Sequence, residues 1–215
     1  MKNARPLVTA AITLLALPIL VFAQEQQFSS KPYVGIDLGY SRVKDQSSDI
    51  GLALVSTVGG SATVRQDSTA YIGRLFGGYK LTENIDFELG YMTTNNLTAN
   101  FTGVSSSAVA YSGSVIVKVS GLDYAALLRP SVSSGFNNFY VRLGGTSYTN
   151  KISGSVNGIG ITDSSSGMGY QYGLGYDSSI NQSISYRVSF TRFEKIGGES
   201  GAYANVLSAG LQTSF

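Results

Sequence analysis

The sequence predicts an all-β fold, a barrel of eight antiparallel strands that crosses a membrane. Three observations predict it. Apolar residues alternate with small or polar residues in one segment after another, no stretch after the N-terminal leader holds 18 consecutive apolar residues, and the connections alternate between short and long. Only 13% of the 215 residues are charged and 43% are hydrophobic, which is unusual for a soluble domain and too polar for a bundle of membrane helices.

The first 23 residues are predicted to be a secretory signal peptide. Lys2 and Arg5 make the start positive, a largely apolar stretch follows, and small residues ending at Ala23 form the expected cleavage site. The alternative is an uncleaved membrane anchor. Residues 24–32 are then a short linker, and residues 33–215 form the barrel.

The first predicted strand shows the alternation most clearly. Its apolar set is Val34, Ile36, Leu38 and Tyr40, and the residues between them are small or polar. Because successive side chains of a strand point to opposite faces, the two sets face opposite ways. Seven further segments repeat the pattern: Tyr71–Tyr79, Ile85–Tyr91, Leu122–Leu128, Phe139–Gly145, Tyr170–Tyr176, Ile184–Phe190 and Tyr203–Phe215. Most of the eight are long enough for the ~9–11 residues that a tilted strand needs to cross a bilayer.

One change of parity interrupts the fourth strand. Val115, Val117 and Val119 occupy odd positions, whereas the apolar set that begins at Leu122 occupies even ones. A β-bulge adds one residue to a strand and so shifts the alternation. We therefore expect a bulge near Gly121.

The connections predict which end of the barrel faces the periplasm. The short ones are Lys80–Asn84, Ser131–Asn138 and Asp177–Ser183, and the long ones are about Lys44–Ser68, Thr94–Gly113, Thr149–Gly167 and Glu194–Ala202. Short periplasmic turns and four longer extracellular loops are typical of an outer-membrane barrel. The Thr94–Gly113 segment and its flanks are expected to extend the sheet beyond the membrane. The first long loop is expected to form a second projecting hairpin or, alternatively, a mobile loop that shields the barrel mouth.

A soluble sandwich or lipocalin-like barrel is the main alternative fold. Those folds bury the apolar face and expose polar residues. The polar face here consists of Gly, Ser and a few charged residues, which is too small to solvate an exterior. It suits the narrow interior of eight strands, and the apolar face then meets lipid.

The chain resembles the OmpA-type transmembrane domain and the wider family of eight-stranded outer-membrane barrels. The stretches that carry the resemblance are Gly35–Tyr40, Phe76–Tyr79, Phe87–Tyr91, Arg142–Gly145, Tyr186–Phe190 and Leu207–Phe215. The resemblance implies the outer membrane of a Gram-negative bacterium as the location. It also implies that the last strand is an assembly signal for the barrel-assembly machinery, carried by Gly210, Leu211, Thr213 and Phe215. By position, Glu88 and Arg187 match the ion pair that closes the lumen in this family.

Charged residues on the small face predict a network inside the barrel. The six that are expected to point inward are Asp37, Arg74, Glu88, Asp123, Arg142 and Arg187. Unpaired charges in a narrow lumen cost several kcal/mol, so these three acids and three bases should pair. The network is either a structural plug or a gate whose rearrangement passes small ions.

The composition argues against catalysis and against a cofactor. The chain has neither His nor Cys, which removes the usual general base and any thiolate ligand or disulfide. Asp45 and Asp49 are the nearest approach to a metal site, and a solvated loop is the alternative reading, so no metal site is predicted. Without Lys2 and Arg5 the chain carries 13 residues of each charge, which predicts no nucleic-acid partner.

The function expected from these features is that of a non-enzymatic surface barrel. We expect a monomer in outer-membrane lipid whose extracellular loops serve adhesion, host colonisation or envelope integrity, with a host-surface or matrix protein as partner. The alternative is a low-conductance gated channel for ions or small solutes. A lipid- or peptide-modifying enzyme is disfavoured, because similar small barrels that are enzymes each use a histidine.

Overall fold

The computed structural model describes residues 31–43, 45 and 47–215, without the side chains of residues 43 and 49. The predicted signal peptide and most of the predicted linker lie outside the described residues. The described residues form ten strands: β1 Pro32–Val43, β2 Ser61–Gln66, β3 Thr69–Lys80, β4 Ile85–Thr94, β5 Leu97–Val104, β6 Ala110–Leu128, β7 Phe139–Val156, β8 Ile159–Ser179, β9 Ile184–Glu194 and β10 Tyr203–Ser214. In the same part of the chain, one α-helix, α1, spans Ser47–Val58, and two short 3₁₀ turns span Val132–Ser134 and Ile196–Gly198. No helix of the described residues is long and apolar enough to cross a membrane.

Eight of the described strands close into a barrel. Each of β1, β3, β4, β6, β7, β8, β9 and β10 pairs antiparallel with its neighbours, and β10 pairs back onto β1 through partners such as Ile36 and Leu211. The predicted fold class is therefore confirmed. Closure leaves no unpaired edge in the ring, as a sheet in lipid requires.

The two faces of the barrel strands have opposite character. The apolar sets predicted from the sequence point outward, and Leu38 on β1 is 71% exposed to the surroundings of the protein. Its neighbours Asp37 and Gly35 on the same strand are buried inside. An apolar exterior of this kind is the face that meets lipid in an outer-membrane barrel.

Three strands continue well beyond the membrane. β6, β7 and β8 have 19, 18 and 21 residues, about twice the length that a bilayer crossing needs. Their upper parts join β5 and β2 in a sheet with the order β2–β5–β6–β7–β8, which we call the extracellular sheet. The predicted extension around Thr94–Gly113 is thus confirmed. The predicted loop Thr149–Gly167 is instead a hairpin, closed by the two-residue turn Asn157–Gly158 with positive φ at both residues.

The first long connection differs from the predicted hairpin. It contains a helix, α1, followed by the single strand β2, which pairs with β5 rather than with a strand of its own loop. Asp45 Oδ1 accepts hydrogen bonds from the backbone N–H of Ser47 at 2.9 Å and from its hydroxyl at 2.6 Å, which satisfies a free donor at the start of the helix.

The bulge predicted near Gly121 is wrong. β6 pairs with β7 in one uninterrupted register, from Gly113 opposite Val156 to Leu128 opposite Val141. No residue of β6 between Gly113 and Leu128 is therefore unpaired along this edge, and the odd-numbered side chains of β6 face inward over the whole strand.

A one-residue insertion does exist, but in the strand on the other side of β6. Between the pair Thr93–Ser120 and the pair Leu97–Val117, three residues of the β4–β5 segment face two residues of β6. This bulge joins β4 to β5, which run in the same direction along β6. The inward side chains of this segment change from even to odd positions across Asn95–Asn96.

The change in which face of β6 carries the apolar residues has a physical cause in the surroundings of the sheet. Within the bilayer the outer face meets lipid, so apolar side chains point outward. Above it the outer face meets water, so apolar side chains turn inward and form a core. The buried members of this upper core are Ile72, Met92, Val119, Tyr148, Phe193, Ala204 and Val206.

Candidate functional site

The six charged residues predicted to point inward all lie buried in the lumen. Glu88 on β4 is at the centre. Its Oε1 accepts hydrogen bonds from Arg187 Nη1 and, at 3.1 Å, from the Tyr33 hydroxyl. Its Oε2 lies 3.2 Å from Nη2 of both Arg74 and Arg142. One carboxylate therefore meets three guanidinium groups, each contributed by a different strand.

Arg74 links the remaining acids to this centre. Its Nη2 lies 2.8 Å from Asp123 Oδ1, and its Nη1 donates to Asp37 Oδ2 at 3.1 Å. Arg142 donates to Asp123 Oδ1 at 3.2 Å and to Gln171 Oε1 at 3.1 Å. The network therefore ties β1, β3, β4, β6, β7, β8 and β9 together across the lumen.

A second group of charges lies below, at the periplasmic end, and sequence reasoning did not include it among the inward residues. Arg129 Nη2 lies 2.9 Å from Asp86 Oδ2 and 2.7 Å from Asp177 Oδ2. The sequence does contain a signal for Asp86, because it lies two residues before Glu88 on β4 and therefore points to the same face of the strand. Asp177 was assigned to a turn, whereas β8 continues to Ser179. The described lumen thus holds five carboxylates and four guanidinium groups, rather than three of each.

Aromatic rings hold the buried guanidinium groups in place. Arg187 Cζ lies 4.8 Å from the ring centre of Phe76 and 5.2 Å from that of Tyr140, so the cation is placed between two π-faces. Phe76 covers Gly35, and Tyr140 covers Gly175, each directly opposite on the neighbouring strand. A Cβ at either glycine would occupy the space of the ring, which explains why the interior face needs glycine here.

The charged layer fills the barrel at mid-height. Directly above it, a cavity lined by Asp37, Arg74 and Phe193 holds only about 20 Å³. That volume is close to the least that can hold one water molecule. The lumen is therefore packed with side chains at this level.

The extracellular side presents a different surface. Above Tyr170, β8 pairs with β7 alone, so one edge of the extracellular sheet has no partner strand in the described chain. On the outer face of the same sheet, Lys118 and Lys151 lie directly opposite each other on β6 and β7, and both are exposed. Like charges in this arrangement repel.

Asp45, one of the two acidic residues of the first long connection that the sequence brought into question as metal ligands, accepts two hydrogen bonds from Ser47. Both hydrogen bonds from Ser47 lower the pKa of the Asp45 carboxyl below its ordinary value, because they stabilise its charged form. The side chain of Asp49 lies outside the described residues. Among the described residues, no group of three acidic, His or Cys side chains is arranged to hold a metal ion.

The last strand closes the barrel. β10 pairs with both β1 and β9, and its residues Leu211 and Phe215 are exposed on the outer face. Gly210 lies opposite Asp37, whose carboxylate occupies the space that a Cβ would take. The Phe215 N–H donates to the Pro32 carbonyl at 3.3 Å, which brings the end of the chain to the first strand.

These features agree with a comparison against protein families. The model of the outer membrane protein beta-barrel domain matches residues 7–215. The chain belongs to this family. A member of the outer-membrane protein β-barrel family is located in the outer membrane of a Gram-negative bacterium and is surrounded by its lipid.

Solved structures of similar shape include outer-membrane barrels from two kinds of bacteria. A crystal structure of Ail, the attachment invasion locus protein of Yersinia pestis, is 12% identical and covers 86% of this chain and 99% of Ail, with a TM-score of 0.55. Ail in complex with the heparin analogue sucrose octasulfate is 14% identical over the same shares, with a TM-score of 0.53. Neisserial surface protein A is 17% identical and covers 86% of this chain and 97% of its own, with a TM-score of 0.44. No curated protein sequence matches the chain.

Proposed function

We propose that this family member is a non-enzymatic attachment protein, which binds a host-surface or matrix protein through its extracellular sheet. The observation that carries the proposal is the length of β6, β7 and β8. These strands continue as a paired sheet beyond the apolar band, and that continuation contributes nothing to crossing the membrane.

The free edge of β8 offers a mode of binding. From Ile159 to Ser166 the strand pairs only with β7, so one row of its backbone N–H and C=O groups faces away from the sheet. Ile159 and Ile161 expose 73% and 43% of their surface along this part. Exposed edges of this kind accept an added strand, with backbone hydrogen bonds for affinity and alternate side chains for specificity.

Two further observations support attachment. Ail, the attachment invasion locus protein, whose fold is similar, was crystallised with the heparin analogue sucrose octasulfate. In the present chain, Lys118 and Lys151 place two positive charges side by side on the outer face of the extracellular sheet. Their mutual repulsion is relieved when an acidic surface comes close, so these lysines favour a negatively charged partner.

The lumen chemistry supports a role without catalysis. The chain has no histidine, and each of the five lumen carboxylates is paired with at least one arginine. A general base needs a pKa near the working pH and room for a substrate. The packed charged layer around Glu88 leaves no room for a substrate.

A shortened hairpin tests the proposal. Deleting Ser153–Val156 and Ile159–Thr162 removes four residues from each arm and keeps the turn Asn157–Gly158. Ile152 and Asp163 are already paired, and an even number of residues per arm keeps the turn on the same type of ladder pair, so the remaining register is preserved. We expect bacteria that express this variant to lose adhesion to matrix-coated surfaces. The variant should still show a heat-dependent shift in electrophoretic mobility, which reports a folded barrel.

The outcome that contradicts the proposal is equally specific. If the shortened variant is folded, is present at the cell surface and adheres as well as the full chain, attachment through this edge is wrong. A second variant, Lys118→Gln with Lys151→Gln, leaves every strand in place. Loss of adhesion in this variant alone would place the binding surface on the outer face rather than on the edge.

One observation favours a second function, that of a gated channel. Arg187 Nη2 lies 3.6 Å from Asp177 Oδ2, so the arginine that binds Glu88 has a second carboxylate within reach. A change of partner would move the guanidinium toward the periplasmic end and loosen the charged layer. Planar-bilayer recordings of Glu88→Ala test this function, and conductance that stays at background would remove its support.

A further inference from the structure

A cavity lies at the extracellular mouth of the barrel, on the inner face of the extracellular sheet. Its volume is about 160 Å³, and residues of α1, β2, β5, β6, β7 and the β9–β10 connection line it. Most of the lining is apolar: Leu97 and Ala99 from β5, Val115 and Val117 from β6, and Ile196 from the connection.

The size of this cavity is not explained by folding alone. Protein interiors have few voids larger than a water molecule, and a void costs the contacts that its walls would otherwise make. Small side chains keep this one open, since Ala99 and Ala202 stand where a longer aliphatic residue would fill the space. Both positions are in the folded part of the mouth, beside the buried upper core.

The cavity ends blindly. The next void below it, lined by Ile72, Met92 and Phe193 among others, holds about 30 Å³. Below that lies the charged layer around Glu88. A molecule that enters the mouth cavity therefore stops there, and the geometry is that of a binding site rather than of a passage.

The mostly apolar wall includes a few polar residues, and one of them has a buried acceptor without a partner. Asn150 on β7 lines the cavity, and its Oδ1 is buried with no hydrogen-bond partner among the described residues. A buried acceptor without a partner destabilises the protein, because it has lost its bond to water and gained none in return. A ligand hydroxyl that donates to this oxygen removes that destabilisation.

We infer that the mouth cavity binds a small apolar molecule with one hydroxyl group, about the size of phenol. A cavity of about 150 Å³ with aliphatic walls binds benzene, which sets the size of the ring. The apolar walls select against charged solutes, and the Asn150 amide oxygen selects for a donor. This site is independent of attachment through the sheet edge, because none of the residues that line it belongs to β8.

Methyl NMR of the folded protein in lipid nanodiscs tests the inference with phenol and toluene as probes. The two molecules have similar volumes, and only phenol donates a hydrogen bond. Saturable shifts are expected at Val115, Val117 and Val119, with phenol binding about fivefold tighter than toluene. The lipid-facing Val141 and Val188 report partitioning into the bilayer, which does not saturate.

Two variants separate the site from its surroundings. Val117→Phe fills the cavity and should weaken phenol binding at least tenfold, while Val132→Phe makes the same change in an exposed periplasmic turn and should leave it unchanged. If Val117→Phe fails to fold, Ala202→Leu fills the cavity from the β9–β10 connection instead. Shifts that never saturate, or phenol binding that survives a folded, filled variant, would overturn the inference.

Discussion

Removing the charge of Glu88 should be the most damaging single change in the lumen. Glu88→Gln keeps the size of the side chain but leaves Arg187, Arg74 and Arg142 with one carboxylate fewer. Losing one partner of a buried ion pair costs about 3–5 kcal/mol, because the other charge stays buried without compensation. The lower end applies here, since the amide keeps an acceptor and Asp177 lies within reach of Arg187. We therefore expect a loss of about 3 kcal/mol, roughly a hundredfold in the unfolding constant.

Urea titration in lipid vesicles measures this loss. The chain has no tryptophan, so the folded fraction is best followed by far-UV circular dichroism and by the mobility of unheated samples in electrophoresis. Glu83→Gln is the matched control, because Glu83 is exposed in the turn between β3 and β4. It should change the free energy of unfolding by no more than about 0.5 kcal/mol.

A double-mutant cycle refines the test. If Glu88 and Arg187 stabilise each other, then Glu88→Gln combined with Arg187→Gln should cost less than the sum of the single variants, by about 1 kcal/mol or more. The reasoning is refuted if Glu88→Gln unfolds at the same urea concentration as Glu83→Gln, since the central carboxylate would then contribute no more than a surface one.

Three further predictions concern other parts of the chain. Gly90→Ala should lower the free energy of unfolding in the same titration, because its Cβ would lie 2.7 Å from a lumen guanidinium nitrogen, whereas Gly73→Ala has open space and should be neutral. The hydrogen bonds from Ser47 lower the pKa of the Asp45 carboxyl, so the stabilisation that they give to α1 is present at neutral pH and is lost as the pH falls through the folded-state pKa. Amide hydrogen exchange in α1, measured as a function of pH, checks this prediction, and Asp45→Asn is the control. Deleting Phe215 should reduce the amount of assembled barrel in the outer membrane without impairing refolding in detergent, and unchanged assembly in cells would remove the role of the terminal residue.

Parity explains how much of the barrel was predictable. Each barrel strand alternates with a period of two, because the residues that face lipid are apolar and the residues that face the narrow lumen are small or polar. The outward apolar sets and the inward positions of Asp37, Glu88 and Arg187 follow from that rule. Asp86 follows from it as well, but was left out of the predicted inward set.

The parts that were missed depend on partners far away in the sequence. The bulge was placed in β6, since the change of parity is visible there, whereas the extra residue belongs to the strand beside it. Pairing alone reveals which of two neighbouring strands carries an insertion. Helix α1 was missed for a different reason, since its small and apolar residues between Ser47 and Val58 show little helical periodicity. The hydrogen bond that the Ser47 N–H donates to the Asp45 carboxylate helps to start this helix.

The insertion at Asn95–Asn96 also decides what can be exchanged between barrels. Deleting one of these two asparagines would turn Leu97, Ala99 and Phe101 from the interior to the solvent, because a shift of one residue reverses every side chain that follows. The β5 segment above the bilayer thus alternates its inward and outward side chains out of step with β4. Grafting it onto another barrel preserves its buried face only if this two-residue junction is carried along with it.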